Sequence, residues 1–419
     1  MPVPPKKAFH PGIDPGDCEV LRRLAGQLAA LAARPVEEEK RRLWYEHNTL
    51  QPTRPVVFCD PENAWNEIVP RDGLGSTGAL AREWEWQMRV RLFWAECMGD
   101  DRVTDDDFEV RIVAHMSDWG MHETQIGGNN GGSYTWDAPL KSYEDLDKLH
   151  FPTIHLDWAE TDRQVESAEA LFGDLLPVVR KGRWWWTLGL TQTAVRLRGL
   201  EQFMVDLCIH PEELKRFMDI LSKGHLSMLD YLEGNGLLSL NNDNSYVGSG
   251  GFGFTYELPQ TDFVEKVRTK DMWGFAESQE TSSVAPEQFD EFVFQYQLPL
   301  LERFGLNCYG CCEPLHLRWH VVKKTPRLRR VSVSPWSDLG QMAEQLGGDY
   351  IFSWKPNPAT LAMPGIDEAL IRKQVREALE ITQGCRLEII MKDTHTIGNN
   401  PNNVIRWCQL VREESDKHW

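Results

Sequence analysis

Beyond residue 270 the chain alternates between two hydrophobic periods. Apolar runs of strand length fall at 272–276, 305–309, 329–333, 349–353 and 386–391. Helical patterns fill the gaps at 286–303, 313–324, 337–346, 366–382 and 401–414. Strand, helix, strand in this order builds parallel pairs. Earlier runs at 55–59, 109–114, 175–179 and 236–240 are further strand candidates. Such a set fits an α/β fold, a closed eight-stranded (β/α)8 TIM barrel with one peripheral strand. It also fits a doubly wound sheet, but no glycine-rich dinucleotide fingerprint follows the first strand. At 419 residues the chain has the length of one such barrel with insertions. Residues 17–34 and the charged stretch 36–48, separated by Pro35, read as a helical pair. The expected organisation is an N-terminal helical extension over 1–54 and a barrel over 55–419. Residues 77–98 read as a further helix. Residues 116–150, rich in Gly, Asn, Asp and Trp, read as a long structured loop.

Charge narrows the function classes. Lys and Arg number 45 against 63 Asp and Glu, a net charge of −18. Such a surface repels phosphate backbones and anionic lipid, so neither a nucleic acid nor a membrane is an expected partner. No run reaches the roughly 18 apolar residues of a membrane span. Met1–Phe9 has no apolar core of the secretory kind. Nine unevenly spaced cysteines fit reduced thiols and a cytoplasmic location better than a disulfide scaffold. The three consecutive tryptophans Trp184, Trp185 and Trp186 read as core packing or as an aromatic wall for a flat ligand.

Reactive side chains collect just past the carboxyl ends of the later strands. Glu277, Gln279 and Glu280 follow the first, and Cys311, Cys312 and Glu313 the second, with Cys308 just before them. Ser334, Trp336 and Asp338 follow the third, and Lys355 and Asn357 the fourth. Lys392, Asp393 and His395 follow the last. In a barrel these ends share one face, where sites are built. The sharpest signal is 308–316, CYGCCEPLH. Thiolate, imidazole and carboxylate are zinc donors, so Cys311, Cys312, Glu313 and His316 are the candidate metal ligands. Adjacent Cys311 and Cys312 are expected to point in different directions, with one in the pocket. Buried, inert cysteine is the competing reading. Lys355, Asp393, His395 and Glu280 are the candidate catalytic groups, with Lys392 beside them. Trp336, Tyr309, Asn241, Asn244 and His115 are candidate substrate contacts, although turn formation explains the asparagines equally well. Residues 248–253, GSGGFG, read as a flexible loop that could serve as a lid.

The stretch 286–312, PEQFDEFVFQYQLPLLERFGLNCYGCC, resembles the uroporphyrinogen decarboxylase superfamily. Segments 332–339 (SVSPWSDL), 354–361 (WKPNPATL), 61–70 (PENAWNEIVP) and 144–152 support the resemblance, which covers about residues 55–415. The resemblance implies a distorted (β/α)8 barrel with its site at the carboxyl ends of the strands. It also implies porphyrinogen decarboxylation, or methyl transfer between a corrinoid protein and an acceptor at a zinc held by a His-x-Cys pair and a later ligand. The Arg-x-x-Gly-Arg loop of the decarboxylases is absent, and the comparable segment 82–91 reads REWEWQMRVR. Tyr309 stands at the His of the zinc pair and Cys311 at its Cys.

The expected function is therefore a zinc-dependent methyltransferase or demethylase acting on a small methylated substrate. The corrinoid is expected on a separate protein, and a homodimer is a further expected partner state. A metal-free lyase or decarboxylase using Lys355, Asp393 and His395 is the alternative. A non-catalytic ligand-binding barrel is the second alternative.

Overall fold

The computed structural model describes residues 13–128, 134–182 and 187–418. Met1–Phe9, Trp184–Trp186 and most of the Gly-Asn stretch at 127–134 lie outside the described residues. Twelve strands are assigned among the described residues. In chain order they are β1 (Val56–Cys59), β2 (Phe108–Arg111), β3 (Ala114–Met116), β4 (Thr124–Gly127), β5 (Tyr134–Asp137) and β6 (Ile154–Leu156). They continue with β7 (Val178–Lys181), β8 (Trp273–Ala276), β9 (Leu306–Tyr309), β10 (Leu328–Val333), β11 (Ile351–Trp354) and β12 (Arg386–Met391).

Six strands form one parallel sheet in the order β1-β12-β11-β10-β9-β8. These strands are buried on both faces, which explains why they read as near-continuous apolar runs. Alternation along each strand divides the side chains into two sets. Val57, Tyr309, Val331, Val333, Phe352, Leu387, Ile389 and Met391 join the main core beneath the helices. Val56, Phe58 and Ile390 pack on the opposite face with Trp44, Phe252 and Phe254. Trp273, Phe275, Leu306 and Cys308 share that face with Val247, Leu258 and Cys311. This second face also carries the polar residues Arg330, Ser353 and Glu388. Three two-stranded ladders stand apart: β2 with β7 in parallel, and β3 with β6 and β4 with β5 antiparallel.

Among the described residues the six-stranded ladder ends at β1 and β8, so the eight-stranded closure expected from sequence is not what backbone pairing displays. The segment 236–240, expected as a strand, is irregular. Its continuation explains how the edge of β8 is satisfied. Asn241 Nδ2 donates to the Trp273 carbonyl (3.0 Å) and Asn241 Oδ1 accepts from the Trp273 amide (2.9 Å). One side-chain amide thus stands in for a neighbouring strand. Asn241→Ala should lower unfolding free energy by about 1–3 kcal/mol, because both groups of Trp273 would be left buried and unpaired. Urea denaturation of wild type and variant checks this; equal midpoints would contradict it.

The N-terminal helices Pro15–Ala32 and Pro35–Asn48 are the expected pair. The second is built into the molecule rather than appended, with Trp44, His47 and Asn48 fully buried at its end. Asn48 Nδ2 donates to the carbonyls of Phe252 and Phe254, both at 2.8 Å. Between the later strands, Asp338 and Asp367 cap the helices Leu339–Leu346 and Glu368–Ile381 by accepting from backbone amides. Among the described residues no helix is long and apolar enough to cross a membrane.

Candidate functional site

The turn after β9 decides where the thiols go. Gly310 has φ +93° and lies so close to Leu315 that a Cβ would meet its Cδ1 at 2.5 Å. Only glycine enters this turn without strain. Glu313 then clamps it: Oε1 accepts from the Ser278 amide (2.8 Å) and Oε2 from the Cys311 amide (2.9 Å). Held this way, Cys311 Sγ lies 3.7 Å from Cys312 Sγ and 3.2 Å from Ser249 Oγ. The two thiols converge, contrary to the expectation that adjacent cysteines would diverge. Cys311 is buried and Cys312 half-buried.

The end of β12 meets the same point. Cys312 Sγ lies 3.7 Å from Asp393 Oδ2. Asp393 adopts φ +57°, a region that Asp tolerates better than most residues. Its Oδ1 accepts from Lys392 Nζ at 2.6 Å, and Lys392 Nζ lies 3.6 Å from Glu62 Oε1 in the loop after β1. The ends of β1, β9 and β12 therefore bring Glu62, Cys311, Cys312, Lys392 and Asp393 together.

Electrostatics follow from burial and these neighbours. The Cys311 thiol is pushed up by its hydrogen bond with Cys312 and by burial. Burial disfavours the Lys392 ammonium, but Cys311, Tyr246, Glu62 and Asp393 outweigh it and raise its pKa. Burial lifts Glu62 to about 7 against the pull of Lys392.

Beneath the rim lies a buried polar chain on the second face of the sheet. Lys355 Nζ donates to Ser353 Oγ, and Ser353 Oγ donates to Glu388 Oε1. Arg330 Nε donates to Glu388 Oε1 (2.9 Å), and His47 Nε2 lies 3.2 Å from Oε2. Burial lowers the Lys355 pKa to about 7, Glu388 opposing and Lys392 and Arg330 assisting.

The glycine-rich segment expected to be a flexible lid is packed into this face. A Cβ on Gly248 would meet Cys308 Cβ at 2.9 Å, one on Gly250 would meet Ile390 Cγ2 at 2.8 Å, and one on Gly251 would meet Arg330 Cζ at 2.9 Å. Each has positive φ. Gly250→Ala should destabilise the fold by about 1–3 kcal/mol, since it adds a contact and a strained backbone together. Thermal unfolding monitored by circular dichroism checks this, and an unchanged midpoint would count against the packed arrangement.

The other sequence-derived candidates lie elsewhere or serve other partners. Glu313 is occupied by the two amides above. His316 Nδ1 accepts from the Asp338 amide at 3.2 Å. Tyr309 is fully buried on the helix side of β9 and donates from its hydroxyl to Gln297 Oε1 (2.7 Å), so it does not face the thiols. Asn241 holds the β8 edge, and Asn244 Nδ2 donates to the Val103 carbonyl (2.8 Å) and to Asp105 Oδ2 (2.7 Å). His115 is exposed on β3, opposite His155. Trp336 is 69% exposed. Glu280 accepts from Thr191 Oγ1 at 2.7 Å, in a second acidic group near Glu277. His395 is exposed, and its Nδ1 accepts from Asn63 Nδ2 at 3.0 Å.

Glu62, Ser249, Arg330, Ser353 and Glu388 escaped sequence reading. The available signal was a charge inside an apolar strand, Glu388 in RLEIIM. The expectation of a corrinoid on a separate protein rests on the absence of an Asp-x-His-x-x-Gly cobalamin pattern, yet residues 393–398, DTHTIG, have that spacing. Here Asp393 engages Lys392 and Cys312, and His395 engages Asn63. Two surface clefts, of about 510 and 370 Å³, have no rim residue in their walls.

No family model and no curated protein matches the chain. Among solved structures it is similar to a methyltransferase from Methanosarcina mazei. That match has a TM-score of 0.52 and 13% identity, and covers 90% of this chain and 97% of the other. At that identity the likeness is one of fold: a mixed α/β architecture around a parallel sheet.

Proposed function

We propose that this chain is a methyltransferase whose working centre is the Cys311–Cys312 pair with Asp393 and Lys392. The carrying observation is the convergence of two thiols, a carboxylate and an ammonium at the carboxyl ends of parallel strands. The fold likeness to a methyltransferase supports the same class. We also read the six-stranded sheet and the β2·β7 ladder as parts of one barrel-type arrangement of the uroporphyrinogen decarboxylase kind.

Zinc is the metal that the resemblance implies. Two thiolates on one tetrahedral zinc at about 2.3 Å lie about 3.8 Å apart, which the 3.7 Å between Cys311 and Cys312 matches. These two thiols would hold the ion, with the Asp393 carboxylate 3.7 Å from Cys312. Glu313 and His316 are committed elsewhere. Among the described residues no group of three or more His, Cys, Asp or Glu side chains is placed to hold a metal ion, so this reading rests on the two thiols alone. Bound there, zinc would supply Lewis acidity toward a thiol or a leaving oxygen.

The protein's own groups prepare that centre. Lys392 places positive charge beside Cys311, which opposes the Cys312 contact and the burial that hold it as a thiol. Asp393 holds the Lys392 ammonium in place and faces Cys312. Glu62, lifted to about 7 by burial, is the group beside Lys392 that can take or give a proton near neutrality, while Lys392 stays charged. In this reading the second methyl carrier is a corrinoid, and the engagement of Asp393 by Lys392 and of His395 by Asn63 favours one held by a separate protein.

Asp393→Asn should lower turnover about tenfold, an activation cost of about 1.4 kcal/mol, with the unfolding curve unchanged. Methyl transfer from methylcobalamin to a small thiol, followed by the change in corrinoid absorbance, measures it. Full activity in the variant would remove Asp393 from the centre.

A second reading, a metal-free lyase, draws on the buried Lys355 amine. It needs a substrate that reaches this lysine.

A further inference from the structure

Lys355 is almost entirely buried, 3% exposed, at the carboxyl end of β11. Its Nζ donates to the Ser353 carbonyl (3.1 Å) and to Ser353 Oγ, and among the described residues these are its two acceptors. An ammonium carries three N–H donors. A third donor here would be buried without a partner, at a cost of about 1–3 kcal/mol. A neutral amine carries two N–H donors and one lone pair, and it matches the site.

The lone pair is then free. Ser353 Oγ sends its own proton to Glu388 Oε1, so the hydroxyl meets the amine as an acceptor. Glu388 is already engaged by Arg330 and faces His47. The charged or titratable groups whose fields act on Lys355 are Glu388, Lys392, Arg330 and Cys311. Two of them are cations, and a desolvated amine beside other cations is the environment that makes a lysine nucleophilic.

We propose that Lys355 forms an imine with a small aldehyde or ketone, a covalent step separate from chemistry at the thiols. The Nζ lone pair attacks the carbonyl carbon and a C–N bond forms. The carbonyl oxygen takes up one proton from solvent and one from nitrogen, and leaves as water. The product is a cationic imine, with no change in overall oxidation state. The 3% exposure of Lys355 restricts the carbonyl compound to a small one.

The test uses the full-length protein with acetaldehyde as probe and sodium cyanoborohydride as trap, followed by peptide mass mapping across a pH series. Reductive ethylation at Lys355 should be at least about tenfold faster than at surface lysines at neutral pH. Its rate should rise around pH 7, where the amine loses its proton, while surface lysines rise near their ordinary value of about 10.4. Mapping in the wild-type protein needs no variant, so a folding defect cannot obscure the result. Labelling of Lys355 no faster than that of surface lysines, or with their pH profile, would overturn the proposal. Because the readout is the label on Lys355, it is independent of whether methyl transfer occurs.

Discussion

Cys311→Ser is expected to cost at least about a thousandfold in methyl-transfer turnover, about 4 kcal/mol of transition-state stabilisation. Three relationships converge on this atom. It lies 3.7 Å from Cys312 Sγ, it receives the hydrogen bond of Ser249, and its turn is held by Gly310 and Glu313. Serine keeps the size of the side chain and loses the soft donor that binds zinc and activates transfer. The fold should survive, because a hydroxyl can still pair with Ser249. Cys312→Ser should follow in the same direction. Turnover from methylcobalamin and thermal unfolding, measured on the same preparations, separate loss of chemistry from loss of structure. A variant with wild-type turnover would remove Cys311 from the reacting centre.

The second large effect is structural. Glu388→Ala should cost about 3–5 kcal/mol, because it leaves the fully buried Arg330 without its carboxylate. Burial raises the Glu388 pKa, but Arg330, His47 and Lys355 outweigh it and hold the pKa at about 2, against about 4.5 when unfolded. A carboxylate depressed on folding stabilises the native state above its unfolded pKa. That contribution, roughly 3 kcal/mol, is lost as pH falls from about 4.5 through about 2. Wild-type stability should therefore drop steeply across this window, and the variant should lack this component. Parallel slopes in urea titrations of the two proteins between pH 5 and pH 2.5 would contradict the assignment.

Much of the fold was legible because strands buried on both faces read as apolar runs. β8 to β12 and the helices Gln295–Leu301, Leu339–Leu346 and Glu368–Ile381 fall where hydrophobic period placed them, while 313–324 holds only the 3-10 turn Leu315–Leu317 and the short helix Trp319–Val322. The edge at β8 was not legible: Asn241 substitutes for a strand, and in sequence an asparagine there reads only as a turn or a polar contact. The same ambiguity hid the role of Glu313. A carboxylate beside two thiols looks like a ligand, and only geometry separates a ligand from a clamp on two backbone amides. Gly248, Gly250 and Gly251 read as flexibility, yet positive φ and close approach to Cys308, Ile390 and Arg330 make them packing residues. Of the side-chain cluster at the strand ends, Cys311, Cys312, Lys392 and Asp393 could be anticipated from their place after strands. Glu62 was missed, although a closed barrel places its last strand, β12, beside its first, β1.

Metal analysis of the purified protein alongside its Cys311→Ser and Cys312→Ser variants addresses the central claim most directly. The expected result is about one zinc per wild-type chain, little in either variant, and a gain in thermal stability when zinc is returned to stripped wild type. Methyl transfer that proceeds in zinc-stripped protein, or a double-serine variant that holds as much zinc as the wild type, would contradict a thiol-held centre.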